Sequence, residues 1–275
     1  MQCKFQILHE NVQYLKKQKN MQEMLRVALL LYLAHLLTDF VFQTSRMVDL
    51  KRGGKISGYA LHGLVHYAAA IALTGFFVPG TLLSSRFEVA IVALTLFHLA
   101  IDWCKIALGA DGALAFSADQ ILHGITIFFA AWWIVRAPPP YEMAQMLGML
   151  RHPGNKVLLA LVVYVAVIFG AGYLIRFLTR PLMRDLKLSE SQAQLSNAGM
   201  FIGWLERFLI LSALFEHSPA TAGLILAAKS IARYPEFKRE RFAEYFLIGT
   251  LLSISAAIIG GVILLKVFYG NSSLP

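Results

Sequence analysis

MLRVALLLYLAHLLTDFVFQ, residues 24–43, decides the fold. The run is apolar almost throughout and long enough to cross ~30 Å of hydrocarbon at about 1.5 Å per helical residue. Yet it carries His35 and Asp39 inside it. Its apolar residues are continuous rather than alternating at period two. Of the two structures that lipid permits, a helix and a closed barrel, it therefore selects the helix. Working outward, similar runs occupy Gly58–Val78, Phe87–Leu108, Asp119–Arg136, Val157–Phe177 and Glu244–Phe268, with shorter ones at Met200–Phe215 and Ala220–Tyr234. Six clear and two weaker runs predict an all-α, polytopic transmembrane helix bundle of about eight spans.

Composition agrees. Of 275 residues 57% are hydrophobic and only 15% charged, against roughly 25% charged in a soluble domain. A single membrane domain is expected, with a polar basic leader at 1–23 and a four-helix half at 24–136. A loop, a fifth span and an amphipathic linker follow at 137–199, then C-terminal helices at 200–275. The net charge of +9 does not point to nucleic acid, because Lys and Arg fall between the apolar runs and form no contiguous basic face. Cys3 and Cys104 are far apart and give neither a disulfide framework nor a CxxC site. A cleaved signal is not expected, since the first run continues through His35 and Asp39 without a small-x-small pattern. Met21 or Met24 is a candidate initiation residue. Loops after runs one, five and seven carry Arg46, Lys51, Arg52, Lys55; Arg176, Arg180, Arg184, Lys187; and Arg233, Lys238, Arg239, Arg241. The positive-inside rule places these loops in the cytoplasm, while the basic leader argues the other way.

The chemistry lies in four pairs. His35/Asp39, His62/His66, His98/Asp102 and Asp119/His123 are each spaced i,i+4, which puts both members on one helix face. In runs one and three the pairs lie in the second half; in runs two and four they lie near the start. Antiparallel helices therefore bring all four to the same leaflet, beside Arg46–Lys55. Ionisable groups in hydrocarbon are costly unless paired and mark function by default. Neutral imidazoles and carboxylates suit a divalent metal, with zinc favoured. The expected ligands are His35, His62, His66, His98, Asp119 and His123, with Asp39, Asp102 and Lys105 as catalytic groups.

Blander readings stand beside these. One His alone is more often a helix–helix hydrogen-bonder than a ligand. Asp119, at the start of its run, is as well placed to be an N-cap. Gln43 and Gln120 read as interfacial hydrogen-bonders, and Lys105 either snorkels or binds an anion. Trp132, Trp133 and Tyr141 around Arg136 read as an aromatic belt. His9, His152 and His217 fall in or beside loops. Gly260 and Gly261 read as a close helix contact. Glu206, Arg207, Lys229, Arg233 and Glu244 read as structural ion pairs, on the side that could support the front cluster.

The segments AHLLTDFVFQ (34–43), HGLVH (62–66), HLAIDWCK (98–105) and DQILH (119–123), with the later GWLERFLI (203–210), AAKSIARY (227–234) and AEYFLIGTLLS (243–253), carry a resemblance. Together they resemble a bacterial multi-spanning membrane family catalogued as domain of unknown function 3307. The resemblance implies a bacterial inner-membrane location and brings no activity with it. Placing His and Asp at helix ends is also similar in style to membrane-bound metal-dependent hydrolases, which is analogy.

The leading functional expectation is a metal-dependent hydrolase of a lipid-linked or anionic amphiphilic substrate, with membrane lipid as partner. In it, His62, His66, His98 and an Asp hold the ion, Asp39 or Asp102 is general base, and Lys105 with the Arg46–Lys55 loop attracts negative charge. A metal-ion or proton transporter is the alternative, opposed by the confinement of polar residues to one leaflet. A non-catalytic scaffold or sensor whose histidines respond to pH or metal is the third.

Overall fold

The computed structural model of the protein describes residues 2–82, 84–136, 148–184, 190–232, 234 and 240–270. Two compact units make it up: Met1–Ala110 with Ala118–Leu159, and Asp111–Ser117 with Ala160–Pro275.

In unit 1, helix α1 spans Gln2–Phe40. The polar leader is thus the first part of the same helix that carries the first span, and His9 lies within it, hydrogen-bonded to Gln13 at 2.8 Å, rather than in a loop. The helix stops at Phe40, where the N–H groups of Val41 and Phe42 both return to the Leu37 carbonyl at 3.0 and 2.8 Å. The chain then bends by 83° into α2, Ser45–Arg52. Thr44 caps α2, its Oγ1 accepting the Met47 N–H at 3.3 Å. Gly53 and Gly54 follow, Gly54 at φ +68°, where a side chain would be strained. Then come α3 (Ile56–Phe77), a 3-10 turn at Pro79–Thr81 and α4 (Ser85–Ala107). The α4 to α5 turn uses Gly109 (φ +61°) and Gly112 (φ +115°), and α5 covers Ala113–Val135.

One end of unit 1 is filled by apolar side chains from four helices, among them Val27 and Leu31 of α1, Ala70 of α3, Ile91 of α4, and Ile127 and Ala131 of α5. Its outside is apolar too: Leu64, Phe76 and Leu96 are 63%, 81% and 62% exposed. An exposed apolar surface of this extent is what a lipid solvent requires.

Among the described residues, five helices are long and apolar enough to cross a membrane, and a sixth if the bent α1–α2 pair is one span. This multi-pass architecture is nearer the six clear runs than the full eight. Met200–Phe215 lies in the longer α8 (Glu190–Phe215), whose apolar run is interrupted by Glu206 and Arg207, while Ala220–Tyr234 lies in α9 (Pro219–Ala232), only 14 residues long.

The span Pro153–Leu182, in unit 2 from Ala160 onward, is made of α6 (Pro153–Val165), a π turn (Ala166–Gly170) and α7 (Ala171–Arg184). A π turn disturbs the regular i→i−4 ladder, and Arg207 answers it: Nε and Nη2 both donate to the Ile168 carbonyl, at 3.0 and 2.6 Å. Glu206 pairs with Lys229, and Arg180 with Asp111. The expected Thr179–Asn197 linker is mostly absorbed by α7 and α8, with 185–189 outside the described residues. Helix α10 (Glu240–Tyr269) packs on α8 and α7. Gly260 and Gly261 make that close contact: a Cβ at Gly260 would stand 2.8 Å from Val167 Cγ2 and 3.3 Å from Leu211 Cδ1. Trp132 and Trp133 are exposed and Arg136 lies over the Trp133 ring at 5.9 Å; Tyr141, Lys187, Arg233, Lys238 and Arg239 lie outside the described residues.

Candidate metal centre

All four i,i+4 pairs meet inside unit 1. The C-terminal parts of α1 and α4 bring His35, Asp39, His98 and Asp102; the N-terminal parts of α3 and α5 bring His62, His66, Asp119 and His123. The antiparallel reading of depth is therefore realised. The five histidines are at most 1% exposed, and Asp102 and Asp119 are each 4% exposed. Among these groups Asp39 is the most open, its side chain 10% exposed.

Asp39 Oδ1, His62 Nε2 and His98 Nε2 form a triangle, with edges of 3.4 Å from Asp39 to His62, 3.3 Å from Asp39 to His98 and 2.7 Å between the two nitrogens. Asp102 Oδ2 stands 3.6 Å from His62 Nε2. On the other side of the His98 ring, Nδ1 lies 3.2 Å from His123 Nδ1. His123 Nε2 faces Asp119 Oδ1 at 3.6 Å and Asp102 Oδ1 at 3.9 Å. His35 packs on His123 with ring centroids 4.6 Å apart.

The supporting groups refine the sequence expectations. Gln43 and Gln120 are hydrogen-bonders as expected, but to the site itself: the Gln43 side-chain amide to His62 Nδ1 at 3.4 Å and Gln120 Oε1 to His35 Nε2 at 3.3 Å. Asp119 is not an N-cap. Helix α5 starts six residues earlier, at Ala113, because hydropathy marks entry into lipid rather than the start of the helix. Lys105 is turned to Asp119, with Nζ 2.8 Å from Oδ1 and 3.9 Å from Asp102 Oδ1. His66 stacks on His98 at 4.4 Å and its Nδ1 meets Thr95 Oγ1 at 3.3 Å.

Sequence reasoning missed two members. Thr95 lies three residues before His98 on the same helix face, a signal that was present. Lys51 was read as part of a basic loop, whereas it belongs to α2, is 4% exposed, and places Nζ 2.6 Å from Asp102 Oδ2. No spacing within residues 46–55 marks it out from its basic neighbours.

The donor chemistry fits a metal ion. Donor atoms of His35, His98 and His123 lie within 4.8 Å of one another, as do those of Asp39, His98, Asp102 and His123. Two donors ~2.1 Å from one tetrahedrally bound ion stand about 3.4 Å apart, close to the triangle's longer edges. Buried polar atoms normally have hydrogen-bond partners, but His35 Nδ1, Asp39 Oδ1 and His123 Nε2 make no hydrogen bond here. Buried polar atoms without hydrogen bonds, gathered from α1 and α5, are what a cation site presents.

Fold and site together define a multi-pass helical membrane protein with a buried His/Asp cluster able to hold a metal. Residues 27–144 match the model of the family described as Protein of unknown function (DUF3307), and this segment belongs to that family. The match spans the described parts of all four pair-bearing helices from Val27 onward. No curated protein and no solved structure matches the chain.

Proposed function

We propose that unit 1 is the divalent-metal centre, with zinc as the ion, of a membrane-embedded hydrolase. Its substrate is a lipid-linked or otherwise anionic amphiphile, and its location a bacterial inner membrane, as the resemblance implies. The observation that carries this reading is the Asp39–His62–His98 triangle. Catalytic zinc sites use three protein donors and leave a position for water, whereas structural sites use four. A divalent ion held there would acidify water and polarise a phosphoryl or acyl oxygen.

The chain's own residues divide the remaining work. Asp102, 3.6 Å from His62 Nε2, is beside the triangle and takes the part of general base. Lys105, its side chain 32% exposed against 5% for Lys51, is the more open of the two lysines at the site and, with exposed Arg46 and Arg52, favours a negatively charged head group. A transporter is supported less well. The donors occupy one leaflet, and unit 1 continues past them as Val27, Leu31, Ile91 and Ile127, which offer a permeating ion nothing.

The experiment is metal analysis by mass spectrometry on protein purified without a histidine tag, comparing wild type with His98→Ala. About one zinc per wild-type chain and almost none in the variant is expected; substoichiometric metal throughout would sink the metal reading. With metal present, hydrolysis of labelled lipid phosphates is measured against ion flux into proteoliposomes. Flux without turnover would retire the hydrolase.

A further inference from the structure

Helix α2, SRMVDLKR, is mostly polar and follows the apolar end of α1 after the 83° bend. Basic residues in such a place extend towards water, and Arg46, Arg52 and Lys55 are exposed accordingly. Lys51 does the opposite. With Met47, one turn earlier, it forms the buried face of α2. Its position is fixed by Gly58 of α3: a Cβ there would stand 2.7 Å from Leu50 Cβ and 2.8 Å from the Lys51 backbone N. The obstacle is mostly backbone, so any side chain at 58 would displace α2 as a whole.

Lys51 takes one oxygen of Asp102. The other oxygen, Oδ1, faces His123 Nε2 and Lys105 Nζ, each at 3.9 Å. A carboxylate has roughly four lone-pair sites, so an ammonium on Oδ2 fixes the plane of the group and leaves Oδ1 available. Lys105 Nζ, closer to Asp119 than to Asp102, does not supply the same restraint. Partners that orient metal-binding side chains typically change metal affinity 10–100-fold.

We infer that Lys51, seated by the contact of α2 with Gly58, is a positioning residue of the centre. It holds Asp102 through Oδ2 and so keeps this carboxylate, with its negative charge, beside the Asp39–His62–His98 donors. The inference rests on the metal reading above, and it gives α2 a role: the site is incomplete without this short helix. A competing arrangement, in which Lys51 occupies Asp102 in place of the ion, predicts the opposite sign.

The test is zinc titration of the full chain in detergent for wild type, Lys51→Met, Lys51→Arg, Gly58→Ala and the double variant Gly58→Ala/Lys51→Met. Lys51→Met and Gly58→Ala are each expected to weaken zinc binding by about 10–100-fold. The double variant should be no weaker than either single, and Lys51→Arg, which restores a cation, should recover part of the loss. The melting temperature of zinc-free protein is read alongside, because a merely structural role would lower it and leave affinity in the folded protein intact. Zinc binding by Lys51→Met as tight as wild type, or tighter, overturns the inference and leaves the metal reading standing. Failure of wild type to bind zinc removes both.

Discussion

The two units both bury charge among apolar helices, but they dispose of it differently. In unit 2 the contacts are local settlements: Glu206 meets Lys229, and Arg207 closes on the Ile168 carbonyl left by a π turn. In unit 1, five histidines and three aspartates converge from four helices, held by Lys51 and Lys105, and still leave His35 Nδ1, Asp39 Oδ1 and His123 Nε2 without hydrogen bonds. Unit 2 also keeps Glu206 Oε1 and Thr250 Oγ1 without hydrogen bonds, but singly and on different helices. Several such atoms gathered in one buried place, where each unsatisfied group costs about 1–3 kcal/mol, mark a site prepared for something else.

The comparison can be broken by experiment. The largest effect is expected at His98, which with His123 is common to both converging donor sets and also belongs to the triangle with Asp39 and His62. His98→Ala should weaken zinc binding by about 100-fold or more, beyond the usual effect of a supporting residue, while Arg207→Met leaves bound zinc unchanged by mass spectrometry. Equal loss in the two variants would end the distinction. Lys229→Met leaves Glu206, 5% exposed, without its cation. Removing one partner of a buried pair costs about 3–5 kcal/mol, and the lower figure is expected because Lys229 is 19% exposed. Thermal unfolding in detergent reads this loss, with zinc content unaltered. Gly260→Val would overpack α10 against Val167 and Leu211, lowering stability by about 1–3 kcal/mol by the same measurement. The smallest effect sharpens the contrast: Thr95→Val removes the His66 hydrogen bond at a cost of about 1 kcal/mol, and zinc titration should shift by only a few-fold.

What the sequence disclosed follows from the physics that acts along one helix. Period 3.6 places His98 and Asp102 on one face, and alternating direction places their depth, so the convergence of four helices could be read before any coordinate. Contacts between elements were harder. Asp119 looked like a cap because apolarity begins there, yet the helix starts at Ala113, just after Gly112 turns the chain. Lys51 looked like its neighbours Arg52 and Lys55 because charge counting does not see which side of a short helix is pressed on the protein; that side is set by the missing side chain at Gly58. The weaker runs around Met200 and Ala220 were apolar enough to suggest crossings, but α9 at 14 residues is about 21 Å long, short of the ~30 Å hydrocarbon thickness.

A neutral imidazole has one nitrogen with a lone pair and one with a hydrogen. His98 presents Nε2 to Asp39 and His62, and Nδ1 to His123. Were His98 to hold an ion through Nε2, its ring hydrogen would sit on Nδ1, and His123 would accept it through its own Nδ1. The second ring is then left with its hydrogen on Nε2, aimed at the carboxylates of Asp119 and Asp102. Occupation of one side of one ring thus sets the tautomer of its neighbour and gives the whole row a direction, ending at the Lys105 ammonium.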